Sequence, residues 1–121
     1  MLKEIKTNTQ HYFIDENGLK QGEYNSYHDN GKLWIHSFFL NNNLHGEYKN
    51  YHNNGQLMTH SFYQNDNLHG EYKSYGVNGK LDYATFYYHG NDLNVNPDTL
   101  TKKDKTYILL SGRLPPRDQS C

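Results

Sequence analysis

One phrase returns in this chain at a fixed interval. Gly22-Glu23-Tyr24-Asn25-Ser26-Tyr27-His28 reappears as Gly46-Glu47-Tyr48-Lys49-Asn50-Tyr51-His52 and again as Gly70-Glu71-Tyr72-Lys73-Ser74-Tyr75. The glycines stand at 22, 46 and 70, so the period is 24 residues (46 − 22 and 70 − 46). A period in this range denotes a stacked array of supersecondary units, each too small to bury an apolar face without its neighbours.

Each unit carries the signals of a β-hairpin. Asn30-Gly31, Asn54-Gly55 and Asn78-Gly79 occupy the same place in all three copies, and Asn-Gly favours a two-residue turn with positive φ at both positions. Such a turn pairs Asp29 with Lys32, Tyr27 with Trp34 and Tyr24 with Ser37. Asn41-Asn42-Asn43 and Asn65-Asp66-Asn67 mark a second turn in each unit, without a Gly to set its register. Strands are expected near 11–14, 20–28, 32–40, 44–52, 56–64, 68–75 and 80–88. The fold class is mainly β: a single-layer, twisted, antiparallel meander of repeated hairpins, not a sandwich.

Because strand side chains alternate and the period is even, each face of the sheet keeps its identity through every unit. One face carries Gly22, Tyr24, Leu33, Ile35, Ser37 and Phe39, with Gly46, Tyr48, Leu57, Thr59, Ser61 and Tyr63 as its next copy. It is the better core face, and its repeated Gly is expected to leave room for a neighbouring Tyr ring. The other face carries Glu23, Tyr27, Trp34, His36 and Phe38, then Glu47, Tyr51, Met58, His60 and Phe62. Mean hydropathy is low, at -1.07, yet formal net charge is only -1 and twelve residues are Tyr. Such a chain folds around a shallow core in which rings are buried and hydroxyls stay wet.

The array is bounded on both sides. Residues 1–10 read as a flexible N-terminus and 11–21 as a partial leading repeat, with Asn17-Gly18 as its turn. Full repeats follow near 22–45, 46–69 and 70–93, so that 11–93 forms the array. Pro97 breaks the next copy, since it cannot donate a ladder hydrogen bond, and 94–121 reads as a C-terminal cap and tail. Thr101-Lys102-Lys103-Asp104 is a capping pattern, and Gly112 with Pro115-Pro116 is a stop signal. Residues 102–111 are therefore expected as a short capping helix, with Tyr107, Leu110 and Ile108 turned inward. A strand from Thr106 to Leu110 is the competing reading. Either element would cover the last strand's edge or the apolar face beside it.

At Gly-Glu-Tyr-x-x-Tyr-x-x-Asn-Gly-x-Leu the units resemble the MORN repeat family (membrane occupation and recognition nexus). They are most similar to the divergent form found in bacterial proteins described as antitoxins and in large DNA viruses. The eukaryotic copies differ in carrying an extra Gly before the Tyr. The resemblance spans about His11 to Leu93. It implies a single-layer antiparallel sheet used for scaffolding or for binding proteins or lipids, without catalytic residues of its own.

The residues that invite a chemical role have structural readings beside them. His28/His52, His36/His60 and His45/His69 recur at the repeat period, but repeat-mates lie about 9.5 Å apart, two strand spacings. Zinc holds nitrogens at roughly 2.0–2.1 Å, so repeat-mates cannot share an ion. With a two-residue turn at Asn41-Asn42, His36 stands opposite Glu47 and His60 opposite Glu71, as cross-strand hydrogen-bonded pairs. Glu23, Glu47 and Glu71 sit in equivalent surroundings, and nothing splits their acidities as acid–base catalysis requires. No phosphate loop or nucleophile motif appears, so no catalytic residue, metal or cofactor is assigned.

Partners follow from charge and aromatic content. Twelve basic against thirteen acidic residues give no field for nucleic acid. The basic cluster Lys102, Lys103, Lys105, Arg113 and Arg117 is diluted by Asp98, Asp104 and Asp118, so membrane contact is not expected. Cys121 is the single cysteine and has no disulfide partner in the chain. The N-terminal residues lack the apolar core of a signal peptide and no run reaches a transmembrane length, so an intracellular, cytoplasmic protein is expected. Two functions remain. One is a scaffold that binds another protein through Tyr27, Trp34, His36, Phe38, Tyr51, Met58, His60, Phe62, Tyr75 and Phe86, aromatic side chains being the usual anchors. The other is a ligand-binding repeat that holds a glycan or lipid head group on rows of Tyr and Phe. Trp34 is replaced by Met58 and then Asp82, which favours the first.

Overall fold

The computed structural model describes residues 1–116; Arg117, Asp118 and Cys121 lie outside them. Four hairpins follow one another along a single open antiparallel meander. They are formed by β1 (Lys3–Lys6) with β2 (Gln10–Ile14), β3 (Gly22–Tyr27) with β4 (Leu33–Leu40), β6 (Gly46–Tyr51) with β7 (Leu57–Gln64), and β9 (Gly70–Tyr75) with β10 (Leu81–Tyr88). Two-residue strands β5 (Asn43–Leu44), β8 (Asn67–Leu68) and β11 (Asn91–Asp92) continue the second turns, and α1 (Lys102–Ser111) follows. Residues 3–6, expected to be flexible, are a strand. Ile5 pairs with Tyr12, and the charges of Lys3, Glu4 and Lys6 on this edge strand discourage pairing with another chain.

The Asn-Gly turns are three-residue loops, not two-residue ones. His28 N–H donates to Lys32 O at 2.8 Å and Gly31 N–H to His28 O at 2.8 Å. Only the Gly has positive φ, at 85°, 90° and 82° for Gly31, Gly55 and Gly79. This is a type I turn closed by a left-handed Gly. The Asn is there for its side chain: Asn30 Oδ1 accepts from Lys32 N–H at 2.9 Å, and its amide donates to Asn53 O in the next hairpin at 2.8 Å. Asn54 repeats both bonds, to Gln56 and to Val77. The extra loop residue moves the register, so Tyr27 faces Leu33 and Trp34 is left as a bulge. Pairing then resumes at Ser26 with Ile35 and Tyr24 with Ser37. Of the expected pairs, Tyr24–Ser37 forms, whereas Asp29–Lys32 and Tyr27–Trp34 do not. Met58 and Asp82 are skipped at the same place in the later hairpins.

The second turns are the two-residue ones. Asn41 and Asn42 have φ of 50° and 71°, and Asn65 and Asp66 have 50° and 69°; Asn and Asp tolerate this region better than other residues with a side chain. Beyond each turn the ladder slips by two residues across His45-Gly46 or His69-Gly70. Phe39 pairs with Leu44, but His36 pairs with Lys49 and Ile35 with Asn50. The repeated Gly sits in that slip, with φ of 105° at Gly46 and 119° at Gly70. A Cβ on Gly70 would lie 3.4 Å from the Phe62 Cβ. Backbone conformation and the Phe beside it, not space for a Tyr ring, therefore call for Gly.

Along the array the first face is the better buried, as expected, and the second face is buried where α1 covers it. On the first face Tyr24, Tyr48 and Tyr72 stand opposite Ser37, Ser61 and Thr85. These three small residues are each only 1 % exposed, as expected when a ring lies across its cross-strand partner. Lys20 Nζ lies 5.2–5.6 Å from the ring centres of Tyr12, Tyr24 and Phe39. Yet the buried hydrophobic side chains among the described residues are Phe86 and Ile108, and Phe86 belongs to the second face. Helix α1 lies there. Thr101 and Asp104 form the expected capping box, and Gly112 ends the helix in the left-handed region. Ile108 is the inward residue, while Tyr107 and Leu110 are 41 % and 81 % exposed, against expectation. A strip of one helix can face the sheet, and 107 and 110 lie roughly 100° and 160° around the axis from 108. The edge of β10 is met by β11, with Asp92 accepting from the Tyr83 hydroxyl at 2.7 Å.

Candidate interaction face

The second face carries a recurring Glu–His–Phe arrangement. Glu23 stands opposite Phe38 and Glu47 opposite Phe62. His36 Nε2 donates to Glu23 at 2.8 Å, and His60 to Glu47 at 2.7 Å. Each imidazole lies beside its Phe, with ring centres 5.2 and 5.3 Å apart. The His–Glu pairs thus form within one hairpin and not across the second turn, so His36–Glu47 and His60–Glu71 do not oppose each other. The two-residue slip at His45-Gly46 brings Lys49 opposite His36 instead.

The first hairpin holds a third copy that sequence reasoning missed. Glu4 is opposite Phe13, His11 bonds Glu4 at 2.5 Å, and the His11 and Phe13 rings are 5.4 Å apart. The signal was the dipeptide spacing His-x-Phe, at 11–13, 36–38 and 60–62, which continues as Ala84-Thr85-Phe86 in the fourth hairpin. There the His is gone and α1 supplies the missing partner: Lys105 Nζ lies 3.3 Å from the Glu71 carboxylate. In the third hairpin, the His60 hydrogen bond holds the Glu47 carboxyl below its ordinary range, against partial desolvation and with help from Lys49.

The structure divides the expected interaction residues. His36, Phe38, His60 and Phe62 share the open strip. Phe86 belongs to the same row but lies beneath α1 at 1 % exposure, so it is not available to a partner. Tyr27, Tyr51 and Tyr75 stand beside the bulge at the Asn-Gly end of each hairpin, outside the His-x-Phe alternation. Trp34 stacks on His28, with centres 5.2 Å apart. Met58 Sδ accepts from Asn50 at 3.7 Å, and Asn50 alternates onto the first face, so the bulge takes Met58 off the strip. His28 and His52 are inter-hairpin ties: each donates from Nε2 to the carbonyl of the Tyr in the next unit, Tyr51 at 2.8 Å and Tyr75 at 3.0 Å. Gly76 replaces His in the last copy, which has no following Tyr of this kind to reach.

Three contacts trace the path of α1 and the segment before it along the strand direction. Lys73 Nζ donates to Asp98 at 2.8 Å, Lys105 meets Glu71, and Gly112 lies against the Tyr88 ring. Beside the helix, toward the third hairpin, is a cleft of about 350 Å³ walled by Phe62, Phe86 and Leu109, with His45, Glu71 and Lys105 at its polar side. His69 also lines it. Burial, then the neighbouring His89, pushes its imidazole pKa down, and its Nδ1 accepts from the His89 N–H at 3.0 Å. Among the described residues no helix is long and apolar enough to cross a membrane.

An open meander in which three of the four hairpins are 24-residue units opening on Gly-Glu-Tyr has the form of a MORN-type repeat array. Residues 20–41 and 44–65 each match the family model described as MORN repeat variant. These two segments are MORN-type repeat units. Repeats of this family are in general protein- and membrane-interaction motifs without catalytic residues. No curated protein and no solved structure matches the chain.

Proposed function

We propose that this protein is a non-catalytic, intracellular scaffold that binds another protein on the second face, through Phe38 and Phe62 with the His–Glu pairs beside them. One observation carries the reading. The same row is covered by the chain's own helix at the fourth hairpin, while its other copies face outward. The arrangement suits binding: an aromatic side chain gives apolar area at small entropic cost, and the adjoining His–Glu pair gives direction. The His–Glu pair recurs at equivalent register positions in three successive hairpins, as a repeated binding surface needs.

The test compares two tagged variants expressed in the native cell. Phe38→Ala with Phe62→Ala removes anchors from the second face, and Tyr63→Phe changes the first. Loss of a specific co-purifying protein from the first variant alone is the expected result. Capture of the same proteins by both variants would overturn the reading.

A further inference from the structure

Helix α1 has more apolar surface than its own sheet covers. Ile108 is fully buried, but Tyr107, Leu109 and Leu110 are 41–81 % exposed, and Leu114 just beyond the helix is 49 % exposed. Only the run Tyr107–Leu110 is apolar in α1, and its side chains point to more than one side of the helix. Leu110 projects nearly opposite Ile108, with Tyr107 and Lys103 beside it at i−3 and i−7, a stripe on the outer surface. Leu109 points along the sheet into the cleft shared with Phe62.

The surface that would accept this stripe lies next to it. The third hairpin places Phe62 and Glu47 at the positions that Phe86 and Glu71 hold in the fourth, with His60, bonded to Glu47 at 2.7 Å, in place of Ala84. The two hairpins are two strand spacings apart, about 9.5 Å. Packed helices keep axes roughly 8–10 Å apart. A second helix laid along the third hairpin, parallel to α1, would therefore pack against α1 with no change of spacing. Donor and acceptor stand side by side on one face of one chain, which is what a closed two-fold interface requires.

Resting on the reading of this face as a binding surface, we propose that its partner at the third hairpin is a second copy of this chain. The two copies meet face to face about a two-fold axis that runs along the strands between the third and fourth hairpins. Each α1 then lies between two sheets, with Ile108 on its own Phe86 side and Leu110 on Phe62 of the other copy. Lys103 approaches the other copy's Glu47 as Lys105 approaches Glu71, and the two Leu109 side chains meet at the axis and fill the clefts. The first and second hairpins, with Phe13 and Phe38, stay open at both ends of the dimer for a further protein.

Sedimentation equilibrium of the full chain tests this, with Cys121→Ser throughout to remove thiol cross-linking. The expected mass is twice that of one chain. Leu110→Asp on the donor stripe and Phe62→Ala on the acceptor should each weaken the dimer roughly tenfold or more. Leu110 is 81 % exposed, so Leu110→Asp should leave the circular dichroism spectrum unchanged. A second measurement mixes two differently tagged chains, one Leu110→Cys and one Phe62→Cys, under mild oxidation; a disulfide joining the two tags is expected. A monomer at high concentration, or a dimer indifferent to both substitutions, would overturn the proposal. The broader reading would survive that result if the Phe38/Phe62 variant still loses its co-purifying protein, and would fall with it if that variant captures the same proteins as the parent.

Discussion

Gly70→Ala isolates the reason the repeat begins with Gly. The residue sits at φ 119°, where an L side chain is strained by on the order of 1–3 kcal/mol. Its new Cβ would also press on Phe62 at 3.4 Å. Against this, Ala restricts the unfolded chain and by itself stabilises by about 0.4–1 kcal/mol. The net expectation is a loss of roughly 1–2 kcal/mol, or a melting midpoint lower by about 4–10 °C for a domain of this size. Thermal melts followed by circular dichroism measure it, with Gly76→Ala as the comparison. Gly76 has no positive φ, and its Cβ would meet only the Asn78 side chain at 3.2 Å, so its loss should be smaller. A Gly70→Ala midpoint at or above that of the parent would refute the argument that backbone conformation, not ring space, holds Gly in the phrase.

Two further outcomes are expected. Ile108→Ala removes the fully buried side chain of α1 and should cost about 2–5 kcal/mol; hydrogen exchange should quicken in 81–88 and 102–111 before it does in β3 and β4, and uniform quickening would contradict helix docking at the fourth hairpin. The lowered pKa of Glu47 makes the folded state bind fewer protons there than the unfolded chain. Its contribution is thus present above the ordinary Glu range and lost as pH falls through the folded value. Midpoints measured from pH 7 to pH 3 should fall less steeply in Glu47→Gln than in the parent, and parallel curves would show that the His60 bond does not matter.

The period, the even count of residues between copies, and the apolar and polar alternation are local properties, and the fold class follows from them. So do the places of the Asn-Gly and Asn-rich turns from Asn17-Gly18 to Asn78-Gly79, the two-faced sheet, and the helix at 102–111 with its Thr101–Asp104 cap; the turns at Thr7–Gln10 and His89-Gly90 do not. The three-residue loop forms at Asn78-Gly79 as well, where no further hairpin follows. It therefore rests on the local bond from Asn Oδ1 to the N–H two residues on, and the Asn30 amide reaching Asn53 only ties finished hairpins together. Register beyond the second turns was decided elsewhere. The two-residue slip at His45-Gly46 needs Phe38 across the ladder, and it redirects His36 from Glu47 to Glu23.

Helix docking was also a tertiary decision. Tyr107, Ile108, Leu109 and Leu110 are all apolar, and hydrophobicity alone cannot rank them. The lane along Phe86 has room for one side, and the Lys105–Glu71 and Lys73–Asp98 contacts set which side turns inward. Glu4 shows the same limit from the other end of the chain. His11-x-Phe13 carries a sequence signal, but the role of Glu4 is invisible in a polar N-terminus until β1 pairs with β2, because a short edge strand is stabilised by its neighbour and not by its own sequence.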